Sequence, residues 1–148
     1  MIHHLHQQQR VPVPLDRAFA FFADAGNLER ITPPALRFQI MTPMPIDMRE
    51  GALIAYRLRL RGIPFAWLTR IDAWEPPHHF VDRQLRGPYR RWVHTHRFRA
   101  CDGGTEIEDH VEYGLPIPPL GELARSLVRR ELDGIFGYRR AQIEELLR

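Results

Sequence analysis

The 148-residue sequence contains a single cysteine, Cys101, and no lysine. One cysteine excludes an internal disulfide, a cysteine-rich zinc module and a cysteine-ligated iron–sulfur cluster built by this chain alone, so a redox role is not expected. The sequence has no apolar run long enough to cross a bilayer, and its first residues lack the basic and apolar regions of a signal peptide. These absences predict a cytoplasmic protein without a transmembrane segment.

The positive charge of the chain is modest. All 21 basic residues are arginine, and the net charge is +3 with an isoelectric point near 9.6. Arg57, Arg59 and Arg61 alternate along one stretch, so in a strand they would share a face that could meet phosphate or another acidic surface. No exposed aromatics alternate with them and no nucleic-acid recognition motif is present, so nucleic acid is not the expected partner. An interaction protein using this basic face is one alternative function.

The hydrophobic patterning predicts an ordered succession of elements. Residues 2–11 are expected to form a strand, followed by a helix that ends near Ala23 and a short helix capped by Asn27. Strands are predicted at residues 36–41, 53–61, 64–74 and 80–86, each bounded by Gly or Pro. A turn at Gly62-Ile63 would place Tyr56 and Trp67 on one apolar face. The chain, with 44% hydrophobic residues, is expected to form one domain over residues 1–148.

The hairpin between residues 92 and 115 is the most informative stretch. If Gly103 and Gly104 are the two central turn residues, Phe98 faces Asp109 and His96 faces Val111. Alternation then gives one apolar side and one charged side. The apolar side carries Trp92, His94, His96, Phe98, Ile107, Asp109, Val111 and Tyr113. Two histidines and a carboxylate on such a side are costly unless they are hydrogen-bonded, paired or hydrated, and a pocket would allow that.

The C-terminal segment should cover this sheet. Apolar residues recur at helical spacing over residues 120–146, which predicts one amphipathic helix of about 28 residues. Gly134 and Gly137 interrupt it and predict a bend or a close approach of another element. Arg139 falls near the centre of the apolar stripe and should point toward the sheet.

An inward Arg139 needs an anion. Asp109 or Asp82 could supply one, as could a ligand carboxylate or phosphate, unless the side chain extends to the pocket mouth. The loop at residues 87–88 does not fix the register of the preceding strand, so the sequence leaves open whether Asp82 and Gln84 face inward.

The order of strand, two short helices, six strands and a long helix resembles the helix-grip fold of the START, Bet v 1 and polyketide-cyclase (SRPBCC) superfamily over essentially the whole chain. Residues 19–34 (FAFFADAGNLERITPP), 87–89 (GPY), 92–98 (WVHTHRF) and 109–116 (DHVEYGLP) resemble a bacterial subgroup of it. The resemblance implies an α+β fold: a seven-stranded antiparallel curved sheet, with two short helices after strand 1 and a long C-terminal helix over a cavity. Such cavities hold hydrophobic or amphipathic molecules such as lipids, sterols and polyketides.

The first hypothesis is a module that binds or carries a hydrophobic or aromatic small molecule. Its candidate contacts are Tyr56, Trp67, Trp92, His94, His96, Asp109, Tyr113 and Arg139. The alternative is a polyketide cyclase or dehydratase in which His96 is the base, Asp109 orients it, and Arg139 or Tyr113 stabilises an enolate.

Metal binding is the weaker interpretation of the same residues. His94, His96 and Asp109 could ligate zinc, but two histidines at strand spacing are a weak signal, and no metal or cofactor is predicted. The His3, His4 and His6 run looks like a metal tract but is expected to be a fraying edge strand. The ligand's identity and the oligomeric state do not follow from the sequence.

Overall fold

The computed structural model describes residues 1–117 and 120–148, with only the backbone of Leu120. Seven strands form one antiparallel sheet in the order β1-β7-β6-β5-β4-β3-β2. The strands are β1 (His3–Val11), β2 (Gln39–Ile40), β3 (Leu53–Leu60), β4 (Ile63–Glu75), β5 (His79–Arg86), β6 (Arg91–Cys101) and β7 (Gly104–Gly114). The α-helices are α1 (Leu15–Ala23), α2 (Asn27–Arg30) and α3 (Arg125–Leu146), with 3₁₀ helices at Pro34–Leu36 and Leu120–Ala124. None of the described helices has both the length and the apolar composition needed to cross a membrane.

The β6–β7 hairpin has the predicted faces but a different register. Asp102 and Gly103 form the turn, and His96 pairs with Asp109 rather than Val111. Gly103 takes the left-handed turn conformation, with φ of 80°. Gly104 is needed for a different reason, because a Cβ there would lie 1.9 Å from the carbonyl oxygen of Val11. The predicted Gly103-Gly104 turn is therefore wrong by one residue, and the pairing shifts by two, which leaves every side chain on its expected face.

The β3–β4 turn follows the same pattern. Its central residues are Arg61 and Gly62, with φ of 52° and 78°, rather than the predicted Gly62-Ile63. A two-residue hairpin of this kind needs positive φ at both central positions, which a β-branched isoleucine disfavours. Tyr56 pairs with Trp67, on the inner face as expected. Arg61 leaves the outer face and donates a hydrogen bond from Nη1 to Glu131 Oε2 of α3 at 3.0 Å, so it does not join the exposed Arg57 and Arg59.

The C-terminal helix is shorter than predicted. The α-helix has 22 residues and follows a five-residue 3₁₀ segment. The predicted close approach at Gly134 and Gly137 is wrong, because a Cβ at either position would have no neighbour within 4 Å. The buried stripe of α3 consists of Val128, Leu132, Phe136, Arg139 and Ile143. Val128, Leu132 and Phe136 pack against Tyr89 and the inner face of the sheet. Ile143 packs against the aromatic side chains of α1, β5 and β6.

Two smaller elements also differ from expectation. Gly26, not Asn27, is the N-cap of α2, and Asn27 instead donates from Nδ2 to the carbonyl of Phe21 at 2.8 Å. The strand predicted at residues 36–41 is reduced to Gln39–Ile40. The 3₁₀ helix before it and the left-handed Arg37, with φ of 48°, prevent an earlier start.

The first strand is paired over all nine of its residues with β7. The expected fraying is therefore not seen in the structure. Gln9 is buried and donates from Nε2 to the carbonyl of Arg140 at 2.7 Å, which ties the far end of α3 to the sheet. The sheet and helix are thus fixed against each other at both ends, through Gln9 at one and Arg61 at the other.

Candidate ligand-binding pocket

A pocket of about 160 Å³ lies between α3 and the sheet, and we call it the inner pocket. Most of its wall is apolar or aromatic, including Tyr56, Trp67, Tyr89, Trp92, Leu132 and Phe136. Its polar side chains include Thr69, Asp82, His94, His96 and Arg139. A second pocket of about 60 Å³ adjoins it beside α1 and shares Tyr56, Asp82, His96 and Arg139. An apolar chamber with a few convergent polar groups is the usual form of a small-molecule site.

Strand alternation brings the polar groups together. His94 and His96 are two residues apart on β6 and point to the same side as Trp92 and Phe98. Asp82 of β5 lies opposite His94, and Asp109 of β7 lies opposite His96. Arg139 reaches them from α3. These five residues, Asp82, His94, His96, Asp109 and Arg139, are called the Asp–His–Arg network below.

The hydrogen bonds of the network pair the histidines with different carboxylates. His96 Nε2 lies 2.6 Å from Asp82 Oδ2, and His94 Nε2 lies 2.8 Å from Asp109 Oδ1. The expected His96–Asp109 pair has the longer separation, with Nδ1 3.4 Å from Oδ1. Arg139 Nη2 lies 3.3 Å from the same Asp109 oxygen. Asp109 rather than Asp82 is therefore the anion that receives the inward arginine.

Packing fixes the orientation of both imidazoles. The His94 and His96 rings stack with centroids 3.6 Å apart, and Phe80 stacks on the other side of His96 at 4.0 Å. The Arg139 guanidinium carbon lies 5.2 Å from the centre of the Phe22 ring. Within the described residues, the buried Nε of Arg139 has no hydrogen-bond acceptor. The network is thus rigid and nearly, but not completely, satisfied.

The carboxylates of the network are ionised. Burial opposes the ionisation of Asp109, but the charge of Arg139 and hydrogen bonds from His94 and His96 outweigh it, so the pKa of Asp109 lies well below its usual value. Burial likewise opposes the ionisation of Asp82, and its hydrogen bond with His96 and the nearby positive charges lower its pKa overall.

The two histidines differ in their affinity for a proton. Burial and the neighbouring His96 lower the pKa of His94 to about 4, so this imidazole is neutral near pH 7. Burial also acts against protonated His96, but hydrogen bonds to Asp109 and Asp82 outweigh it and raise the pKa of His96. Two carboxylates and one guanidinium give the network a net charge of −1 when His96 is neutral and zero when His96 is protonated.

The structure separates the candidate ligand contacts into two groups. The side chains that line the inner pocket are Tyr56, Trp67, Trp92, His94, His96 and Arg139. Asp109 and Tyr113 are not among the described residues that line it. Asp109 lies behind the histidines, and Tyr113 is 1% exposed in the core cluster with Trp92 and Leu132. Their contribution to binding would be through the groups they support.

Sequence reasoning left out the wall residues Phe136 and Tyr89 and left the direction of Asp82 open. Phe136 could have been found, because Leu132, Phe136 and Arg139 follow the helical repeat of four and three residues. The direction of Asp82 could not be predicted, since it depends on how the β5–β6 loop pairs these two strands, which places Asp82 opposite His94. Tyr89 lies in a loop, where periodicity gives no information.

A side-chain clamp places Tyr89 in the wall. Gln84 Nε2 donates to the Tyr89 carbonyl at 2.6 Å, and the Tyr89 amide donates to Gln84 Oε1 at 3.1 Å. The Gln84 side chain thus takes up both polar groups of the Tyr89 main chain. These two hydrogen bonds hold the β5–β6 loop in the conformation in which Asp82 of β5 faces the pocket.

Comparison with solved structures gives the same fold. The Zhui aromatase/cyclase from Streptomyces sp. R1128 matches with a TM-score of 0.80 at 15% identity, over 99% of this chain and 94% of that chain. A Chromobacterium violaceum protein matches with a TM-score of 0.75 at 14% identity, over 97% of this chain and 96% of that one. A Mycobacterium smegmatis protein matches with a TM-score of 0.71 at 21% identity, over 97% and 90%. At these identities the likeness concerns the fold alone.

The fold and the sequence agree on the family. No significant match to a curated protein was found. The expected helix-grip fold, with its curved seven-stranded sheet and long C-terminal helix, is confirmed. A family model described as polyketide cyclase / dehydrase and lipid transport matches residues 11–135. The chain belongs to the polyketide cyclase / dehydrase and lipid transport family.

Proposed function

We propose that this protein binds a small aromatic molecule in the inner pocket, with a neutral oxygen of the ligand directed at the Asp–His–Arg network. The observation that carries the proposal is the position of this buried polar network on one wall of an otherwise aromatic pocket. Aromatic walls favour a ring, and the polar wall would fix its orientation. We also expect the protein in the cytoplasm, which stays a prediction.

The size of the space supports a ligand of about one ring. The inner pocket of about 160 Å³ is close to the roughly 150 Å³ of a cavity that holds benzene. Even together with the adjoining pocket, it falls short of the roughly 300 Å³ of pockets for drug-sized ligands. A sterol or a long acyl chain would require the helix and sheet to separate.

The charge of the network supports a neutral oxygen over an anionic one. Asp82 and Asp109 already share Arg139 and the two histidines as partners, so a carboxylate ligand would bring a third negative charge next to them. A carbonyl or phenol oxygen can instead accept a hydrogen bond without this penalty. Arg139 lines the pocket and its guanidinium carries N–H donors for such an oxygen.

A second function, the cyclase or dehydratase activity, is favoured by one feature. His96 Nε2 lies 2.6 Å from Asp82 Oδ2, and both residues line the pocket. Such a pair can move protons to and from a substrate held in the pocket. Here His96 is the catalytic residue, and Asp82 replaces the expected Asp109 as the positioning residue.

Calorimetric titration with four probes tests the binding proposal. Acetophenone supplies a ring and a neutral oxygen, ethylbenzene a ring alone, benzoate a ring and a charge, and cholesterol a large apolar body. We expect saturable binding of acetophenone, about tenfold weaker binding of ethylbenzene, and little binding of benzoate or cholesterol. The proposal is wrong if no monocyclic probe binds, or if benzoate or cholesterol binds more tightly than acetophenone.

Matched variants locate the binding. Because loss of Arg139 alone would leave Asp109 buried without its counter-charge, the test variant is the charge-neutral double substitution Asp109→Asn/Arg139→Met. It should bind acetophenone no better than ethylbenzene. The control is Arg129→Met, which removes an exposed arginine from the same helix and should leave both affinities unchanged. An equal loss of acetophenone affinity in the double variant and in Arg129→Met would contradict the proposed orientation of the ligand.

A further inference from the structure

We propose that Asp82, His94 and His96 form a binding site for a divalent transition-metal ion on the wall of the inner pocket. Each of the three side chains offers one donor atom, and these atoms lie within 4.8 Å of one another. The proposal goes beyond the binding of an aromatic molecule, because the ion would bind whether or not such a molecule is present.

The donor geometry needs only small adjustments. His96 Nε2 is 2.6 Å and His94 Nδ1 is 3.9 Å from Asp82 Oδ2. Donors about 2.1 Å from a tetrahedral ion lie roughly 3.4 Å from one another. The His96–Asp82 separation would have to lengthen and the His94–Asp82 separation would have to shorten, each by less than about 1 Å. Rotation of the Asp82 carboxylate could supply both changes.

Asp109 provides the outer support that metal-binding histidines require. The ring nitrogens that do not face Asp82 both face one Asp109 oxygen, His94 Nε2 at 2.8 Å and His96 Nδ1 at 3.4 Å. A histidine that binds a metal usually donates its other N–H to a carboxylate, which fixes its tautomer and orientation. Arg139 holds Asp109 in place from the opposite side, at 3.3 Å. Both imidazoles therefore direct one nitrogen to Asp109 and the other to the same point beside Asp82.

Charge and chemistry decide the kind of ion. With neutral imidazoles the network has an excess of one negative charge, which a buried cation would compensate. Two nitrogen donors and one carboxylate suit zinc, iron, cobalt or nickel rather than magnesium or calcium, which prefer oxygen. Three protein donors leave at least one coordination position for water or a ligand oxygen from the inner pocket.

A second histidine cluster provides an internal control. His4, His110 and Glu112 also bring three donor atoms within 4.8 Å of one another, on the outer face of the sheet. His4 Nδ1 lies 3.0 Å from His110 Nε2, and His4 is exposed. This cluster has the ligand types for adventitious metal binding, so it must be tested separately.

Cobalt titration of the chelator-treated protein tests the proposal, with visible absorption and calorimetry as readouts. We expect one equivalent of Co²⁺ to bind to the wild type and to His110→Asn with the same affinity. Asp82→Asn, which keeps the shape of the side chain, should bind at least about 100-fold more weakly, and Asp109→Asn about 10- to 100-fold more weakly. Circular dichroism of each variant establishes that it is folded, and His94→Gln replaces any variant that is not.

Three results would overturn the site. They are a wild type that binds no Co²⁺, an Asp82→Asn or His94→Gln variant with unchanged affinity, and loss of binding in His110→Asn. The acetophenone titration of the chelator-treated protein is measured separately. Failure of the metal site and failure of the aromatic-ligand proposal are thus distinguishable.

Discussion

Replacing Arg139 by methionine tests whether charge holds the buried network together. Arg139 is 6% exposed and Asp109 is 2% exposed, and their closest charged atoms are 3.3 Å apart. Methionine keeps much of the apolar contact with Phe22 and Phe136 but removes the guanidinium. Asp109 is then left buried with only histidine hydrogen bonds. Removing one partner of a buried ion pair costs about 3–5 kcal/mol.

The expected loss of stability in Arg139→Met is large enough to measure in two ways. For a chain of this size, 1 kcal/mol corresponds to about 2–4 °C in melting temperature, so Arg139→Met should melt roughly 6–20 °C below the wild type. Urea unfolding followed by circular dichroism gives the same loss as a free energy. The double variant Asp109→Asn/Arg139→Met removes both charges and should recover at least about 2 kcal/mol of the loss.

An exposed arginine of the same helix is the control. Arg129 pairs with Asp133 at 3.0 Å, but both side chains are about half exposed. Arg129→Met should therefore change the free energy of unfolding by less than about 1 kcal/mol. The reasoning is refuted if Arg139→Met lowers the free energy of unfolding as little as Arg129→Met does. It is also refuted if the losses measured separately for Arg139→Met and Asp109→Asn simply add in the double variant.

Three further predictions concern the sheet and the helix away from the pocket. Gly104→Ala should destabilise the protein strongly, because its Cβ would lie 1.9 Å from the Val11 carbonyl oxygen; Gly137→Ala, on an open face of α3, should stabilise it by up to about 1 kcal/mol in the same urea titration. Burial opposes the ionisation of Asp72, but hydrogen bonds from two arginines outweigh it and lower its pKa. Its ionised form therefore stabilises the protein above the unfolded-state pKa, and this stabilisation is lost as the pH falls through the lowered value. The melting temperature of Asp72→Asn should lie below that of the wild type at neutral pH and converge with it in acid; a constant difference would contradict this assignment.

The faces of the strands could be predicted from the sequence, whereas their register could not. Apolar alternation in β6 and β7 depends only on the two-residue period of a strand, so His94 and His96 were correctly placed on the inner face. Register depends on which residues form the turn. Gly103 and Gly104 looked equivalent in the sequence, yet one is required by the turn and the other by its contact with β1.

The candidate site was predictable only in part for a similar reason. Helical periodicity turns Arg139 inward, but it does not decide which carboxylate will receive it. The choice of Asp82 for His96 depends on the pairing of β5 with β6, through a loop whose register the sequence does not fix. Tyr113 has the inward direction expected of it, but the first half of α3 packs over that end of the sheet and makes it core.

The Asp–His–Arg network is an expensive way to fill the space between a sheet and a helix. Well-packed apolar residues in place of a buried ionic group often leave a protein equally or more stable. The network of this protein lies where the wall of a pocket needs polar groups, which is the arrangement expected if ligand binding rather than stability maintains it. The charge of the network also connects the two proposals. Without a metal ion the network has no net positive charge, so the pocket should select neutral ring compounds. A divalent ion bound to Asp82 and to neutral His94 and His96 would give the network a net charge of +1 and admit carboxylates. The charge of the network, more than the shape of the pocket, would then decide which class of ligand the protein accepts.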